Sequence, residues 1–62
     1  MYELYAKLRD ERGLSDWAIA KRAGIGASTF SDWRSGRSKP KIEKLRKIAL
    51  ALEVPLEALI GE

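Results

Sequence analysis

The stretch SDWAIAKRAGIGASTFSDWRSG, residues 15–36, reads as two short helices joined by a tight turn. Ser15 is a good N-cap, because its side-chain oxygen can accept an amide proton that a first helical turn leaves unpaired. Asp16 follows in that turn, where the helix dipole favours an acid. Leu14 and Ile19 flank the cap at the spacing of a hydrophobic staple. Gly24 can take a positive φ without steric cost and stops the helix. The next helix begins after Gly26, where Ile25 and Phe30 repeat the staple spacing and Phe30 and Trp33 share a face. Ser35-Gly36 closes it. Ala20 stands where the two helices cross closely, and Ile19, Ile25, Phe30 and Trp33 point into the angle between them. This pattern predicts a helix pair crossing steeply, with the outer face of the second helix turned away from the core.

Working outward, residues 1 to about 12 carry Met1, Leu4, Tyr5 and Leu8 at helical spacing, and Gly13 ends that helix. After residue 36 comes a short basic loop, Arg37 to Pro40. The longest helix is expected over about 42–53, with Ile42, Leu45, Ile48, Ala49 and Leu52 on one stripe. Val54-Pro55 breaks it. A last short helix over 56–60 offers Leu56, Leu59 and Ile60. Helices at about 1–12, 15–23, 27–35, 42–53 and 56–60, with no strand signal, predict an all-α, five-helix bundle in one domain spanning 1–62.

Composition limits what such a bundle can do. A 62-residue chain supports one modest core. With no cysteine and no histidine it has neither a disulfide frame nor the usual metal ligands or general base, and its acids are scattered. No metal site, cofactor, small-molecule substrate or catalytic residue is expected. No apolar run approaches the roughly 20 residues that span a bilayer, so no membrane partner is expected and the default location is cytoplasmic.

The net charge is only +3, but it is unevenly spread. Residues 21–47 hold nine basic and two acidic side chains, and the remainder of the chain is net acidic. A solvated lysine-rich helix would explain Lys44, Arg46 and Lys47, but not Arg34 to Lys41, which lie in and around a turn. A polyanion partner on one face explains both.

Over GLSDWAIAKRAGIGASTFSDWRSGRSKP (13–40) and KIEKLRKIALALEVPLEALI (41–60), the chain resembles the phage-repressor-like helix-turn-helix family of the lambda and Cro repressors. The resemblance rests on the Ala20-to-Gly24 spacing, the S-x-W-x-x-G end of the third helix (Ser31, Trp33, Gly36) and the Lys39-Pro40 pair, and covers nearly the whole chain. It implies a compact five-helix fold, binding of double-stranded DNA with the helix at 27–35 in the major groove, and a role as a transcriptional repressor or regulator.

By position, the resemblance puts Ala27 and Ser28 against base edges, Asp32 one turn later, and Thr29 and Ser31 at the flanks. Ser15, Asp16 and Trp17 at the start of the second helix would face the DNA backbone. So would Arg34, the amides of Ser35 and Gly36, then Arg37, Ser38, Lys39, Lys41 and Lys44. Two positions depart from the family. Asp16 stands where glutamine is common, and there it would cap the helix and repel a phosphate. Lys41 stands where Ser or Thr usually caps the fourth helix, poor for the dipole but good for a phosphate.

No Arg, Gln or Asn projects from the first turns of residues 27–35, so bidentate guanine or adenine contacts are excluded there. What remains is a thymine methyl against Ala27, short hydroxyl bonds from Ser28, Thr29 or Ser31, and a cytosine amine offered to Asp32. Shape and phosphate contacts would carry much of the selection.

Other residues have plainer readings. Trp33 is expected in the core, its indole N–H within reach of a phosphate. Trp17 is read either as a backbone contact or as an ordinary half-buried side chain. Asp32 is equally a surface partner for Arg34 or Arg37. Lys7, Arg9, Arg12, Lys21 and Arg22 read as solvated surface, and Tyr2 and Tyr5 as packing residues. Leu56 and Leu59 read as core closure. Ile60 is the candidate contact for a homodimer through the last helix. The rival function is a protein-interaction module of the same fold, antitoxin- or antirepressor-like, which the bare third helix suggests and the basic loop argues against. The short chain fits an excised domain, a small natural regulator or an engineered binder alike.

Overall fold

The computed structural model describes residues 2–61, and Met1 of the first apolar stripe therefore lies outside the described residues. Five helices follow one another: α1 (Tyr2–Glu11), α2 (Asp16–Ala23), α3 (Ala27–Ser35), α4 (Ile42–Leu52) and α5 (Glu57–Ile60). They match the expected spans to within a residue or two. No strand is present among the described residues. The α1 helix packs on α5, α2 packs on both α3 and α4, and α4 packs on α5, within principal extents of 23 × 23 × 19 Å.

The local signals act as their chemistry requires. Ser15 Oγ accepts the amide proton of Ala18 at 3.1 Å, capping α2. Gly24 takes φ 72°, which lets its amide and that of Ile25 close on the carbonyl of Ala20 at 2.9 and 3.1 Å. The end of α4 differs from expectation. Glu53, not Val54-Pro55, makes the stop: it adopts φ 59°, and the amides of Glu53 and Val54 bond the carbonyls of Leu50 and Ala49. A left-handed residue with a side chain costs about 1 kcal/mol, offset here by two satisfied carbonyls.

The core consists of Tyr5, Ile19, Ala20, Phe30, Trp33, Leu45, Ile48, Ala49, Leu52 and Leu59, with Ile25 and Leu56 packed against it. Ala20 is buried at the α2 crossing, as its size requires. The rings of Tyr5, Phe30 and Trp33 form a triangle, with Tyr5 5.3 and 5.1 Å from Phe30 and Trp33, which lie 6.5 Å from each other. Ile42 is a correction. It belongs to the apolar stripe of α4 by spacing, yet it is 48% exposed, because it opens the helix and the buried stripe starts a turn later at Leu45.

Candidate nucleic-acid interface

The third helix buries one side and presents the other. Phe30 and Trp33 enter the core, while Ala27, Ser28, Ser31, Arg34 and Ser35 are exposed and Thr29 and Asp32 are half-buried. Gly26 caps α3 in extended conformation without a side-chain bond, so nothing bulky stands in front of its first turn. Small side chains there let the helix backbone come close to another surface.

The residues after Gly36 (φ 83°) turn back alongside this face. A cleft of about 620 Å³ runs between α3 and the start of α4. Its α3 wall is Ser28, Thr29 and Asp32, and the opposite wall is Ser38, Lys39, Pro40, Lys41, Glu43, Lys44 and Lys47. Of the expected base-facing residues, Ser28, Thr29 and Asp32 therefore share one cleft with the expected phosphate-facing Ser38, Lys39, Lys41 and Lys44. Lys47 joins them and was not among the expected contacts. The signal was present: Lys44 and Lys47 stand three positions apart and so neighbour each other on the surface of α4.

On the other side of the same loop lies a second cleft of about 480 Å³. Tyr2, Glu3, Trp33, Arg34, Gly36 and Arg37 line it, and Ser38 and Lys39 border both clefts. The loop is thus a basic ridge with a depression on either side.

Two expected phosphate donors are spent internally. The Gly36 amide closes α3 by bonding the Trp33 carbonyl at 3.2 Å, and the Ser35 hydroxyl donates to the Asp32 carbonyl at 3.0 Å. The amides of Arg37 and Ser38 bond the same Asp32 carbonyl at 2.9 and 3.3 Å. The cause is the C-terminal cap, which uses these groups to satisfy the last carbonyls of the helix. The Gly36 amide and the Ser35 hydroxyl are accordingly withdrawn as phosphate ligands. The Asp32 carboxylate makes no ion pair with Arg34 or Arg37.

At the start of α2, Asp16 and Trp17 behave differently. Trp17 is 64% exposed, with the Lys21 ammonium 4.8 Å from its ring centre, so ordinary half-burial does not describe it. The Asp16 carboxylate turns inward to α1. It accepts from the Tyr5 hydroxyl at 2.6 Å, from Arg9 Nη1 at 2.7 Å and from the Tyr2 hydroxyl at 3.1 Å. What residue 16 can offer a phosphate is its backbone amide. Arg9 also pairs with Asp10 at 2.9 Å and donates to the Tyr2 hydroxyl at 3.1 Å. Arg9 is therefore a correction: it is a bonded junction residue, not solvated surface, because α1 crosses the head of α2 one turn before its own end. Burial alone would raise the Asp16 pKa, but the bonds from Tyr5, Arg9 and Tyr2 outweigh it and hold the carboxyl below the usual range. Burial and the same carboxylate push the Tyr5 hydroxyl well above its ordinary value.

Two short packed helices joined by a tight turn, an outward α3 face of small side chains and a flanking lysine wall define the class. The chain matches the family described as helix-turn-helix over residues 6–59 and belongs to it; it is a DNA-binding domain and not an enzyme. It is 33% identical over 55 residues to the cryptic phage CTXphi transcriptional repressor RstR of Vibrio cholerae. That match covers 89% of this chain and 50% of the repressor, so the chain spans about half the length of this curated relative.

Proposed function

We propose that the domain binds double-stranded DNA with α3 in the major groove and serves as the DNA-reading part of a transcriptional repressor. The observation that carries this reading is the cleft between α3 and α4, where the short polar side chains of Ser28, Thr29 and Asp32 face Lys39, Lys41, Lys44 and Lys47. One wall suits base edges and the other suits phosphates. Ala27 offers a methyl to thymine, Ser28, Thr29 and Ser31 offer hydroxyls, and Asp32 accepts from a cytosine amine. Trp17, Arg34, Arg37 and Ser38, with the Ser15 hydroxyl and the Asp16 amide, complete the phosphate side. The kinship with a phage repressor supports the regulatory role.

A homodimer through α5 belongs to the same proposal. Leu59 is buried, which leaves Ile60 and its neighbour Leu4, each 38% exposed, as the apolar contact.

The deciding experiment is selection from a randomised duplex library at two salt concentrations. One enriched motif is the expected result, and two inverted half-sites would add the dimer. Steep salt dependence without enrichment would remove base reading, and no binding at low salt would leave the protein-interaction module.

A further inference from the structure

The second cleft raises a question of charge. Its walls hold Arg34, Arg37 and Lys39, which together should attract a phosphate backbone strongly. Tyr2 lines the same cleft, packing its ring edge-on against Trp33 at 5.4 Å, and its hydroxyl donates to Asp16. The Arg9 cluster therefore begins one tyrosine ring away from the basic loop. That cluster contains one cation, Arg9, between two carboxylates, Asp10 and Asp16, at 2.9 and 2.7 Å. Its net charge is −1. Arg9 alone would have made this rim more basic. Asp16 instead holds the guanidinium through Nη1 and cancels it.

We infer that Asp16 restrains sequence-independent DNA affinity, acting as a positioning residue that fixes Arg9 and keeps the rim of the Arg34–Arg37 cleft acidic. The inference rests on the DNA-binding reading above. Attraction to phosphate is the part of binding that carries no sequence information. An acidic rim beside the basic loop lowers that part in every complex and leaves contacts of α3 untouched, so fewer random sites hold the domain at a given concentration. Tyr2 and Tyr5 act with Asp16 by donating to its carboxylate, which keeps it ionised and turned towards Arg9.

The test compares four chains on a short random-sequence duplex across a salt series: the unsubstituted domain, Asp16→Asn, Arg9→Met and Arg9→Lys. Circular dichroism places every titration below the unfolding midpoint of its variant. Asp16→Asn is expected to bind about three- to tenfold more tightly, with a log–log salt slope steeper by about 1. Arg9→Met, which leaves two unbalanced carboxylates, is expected to bind more weakly with a shallower slope, and Arg9→Lys to stay near the unsubstituted domain. A purely structural cluster predicts the same sign for Asp16→Asn and Arg9→Met, with weaker binding and unchanged slopes; that result overturns the inference. If Asp16→Asn does not fold, the slope difference between Arg9→Met and Arg9→Lys decides, and equal slopes overturn it. No duplex binding by the unsubstituted domain would instead remove the DNA reading, and this inference with it.

Discussion

The Tyr5 hydroxyl donates to Asp16 Oδ1 at 2.6 Å while the ring of the same residue is fully buried against Phe30 and Trp33. One side chain thus ties the core to the first residue of α2, and through α2 to the angle at which α3 is held.

Removing that hydroxyl tests the tie. Tyr5→Phe keeps the ring and deletes one bond to a carboxylate, at an expected cost of about 1–2 kcal/mol. For a domain of this size the melting temperature should fall by roughly 5–10 °C, measured by circular dichroism. An unchanged melting temperature would mean that Arg9 and Tyr2 hold Asp16 sufficiently by themselves.

The same carboxylate predicts an acid response. Its folded-state pKa lies below the ordinary value of about 3.9, so its stabilisation is complete above that value and is lost as pH falls through the folded one. The stability gap between the unsubstituted domain and Asp16→Asn should therefore be widest near neutrality and narrow as pH falls below the ordinary carboxylate value of about 3.9. Urea unfolding across that range measures it, and a gap independent of pH would contradict the assignment.

Burial sorts the leucines and isoleucines of α4. Ile48→Ala or Leu52→Ala, both at fully buried positions, should cost about 2–5 kcal/mol. A core this small rarely supplies more than about 3–5 kcal/mol in total, so either variant should be largely unfolded at 25 °C. Leu50 is 78% exposed, and Leu50→Ala should stay within about 0.5 kcal/mol. Urea titration of the three compares them directly.

Two backbone positions should respond in opposite directions. A Cβ at Gly24 meets nothing within 4 Å, so Gly24→Ala costs only the left-handed strain, about 1–2 kcal/mol. Glu53→Gly relieves the same strain at the end of α4 and should gain about 0.5–1 kcal/mol. Thermal unfolding of both variants reads the signs.

The lysine wall should be visible in salt dependence. Lys39→Ala, Lys41→Ala and Lys44→Ala are each expected to weaken duplex binding uniformly and to reduce the salt slope by about 1. Arg46, which lines neither cleft, should leave the slope nearly unchanged when replaced by alanine. Fluorescence anisotropy at several salt concentrations separates them. Equal effects at Lys44 and Arg46 would move the phosphate face away from this cleft.

The helices and their caps were legible in the chain, because each depends on residues within about one turn of one another. Ser15 caps α2 through Ala18, Gly24 closes it through Ala20, and Ala20, Phe30 and Trp33 are buried by a periodicity that any helix imposes. The resemblance carried by the Ala20–Gly24 and Ser31–Gly36 spacings added the family, and with it the face expected to meet DNA.

Residue type and spacing by themselves determined five helices, where each begins, and a basic segment centred on one loop. Tertiary structure alone decided what the charges meet. Asp16 reads locally as a residue suited to the helix dipole, yet its partners Tyr2, Tyr5 and Arg9 lie 7 to 14 positions away on α1. Lys47 reads as a solvated helix lysine until the fold lays α4 beside α3 and closes the cleft. The physical reason is range: a cap or a staple is complete within one turn of chain, whereas an ion pair or a cleft wall exists only after packing sets the distance between helices.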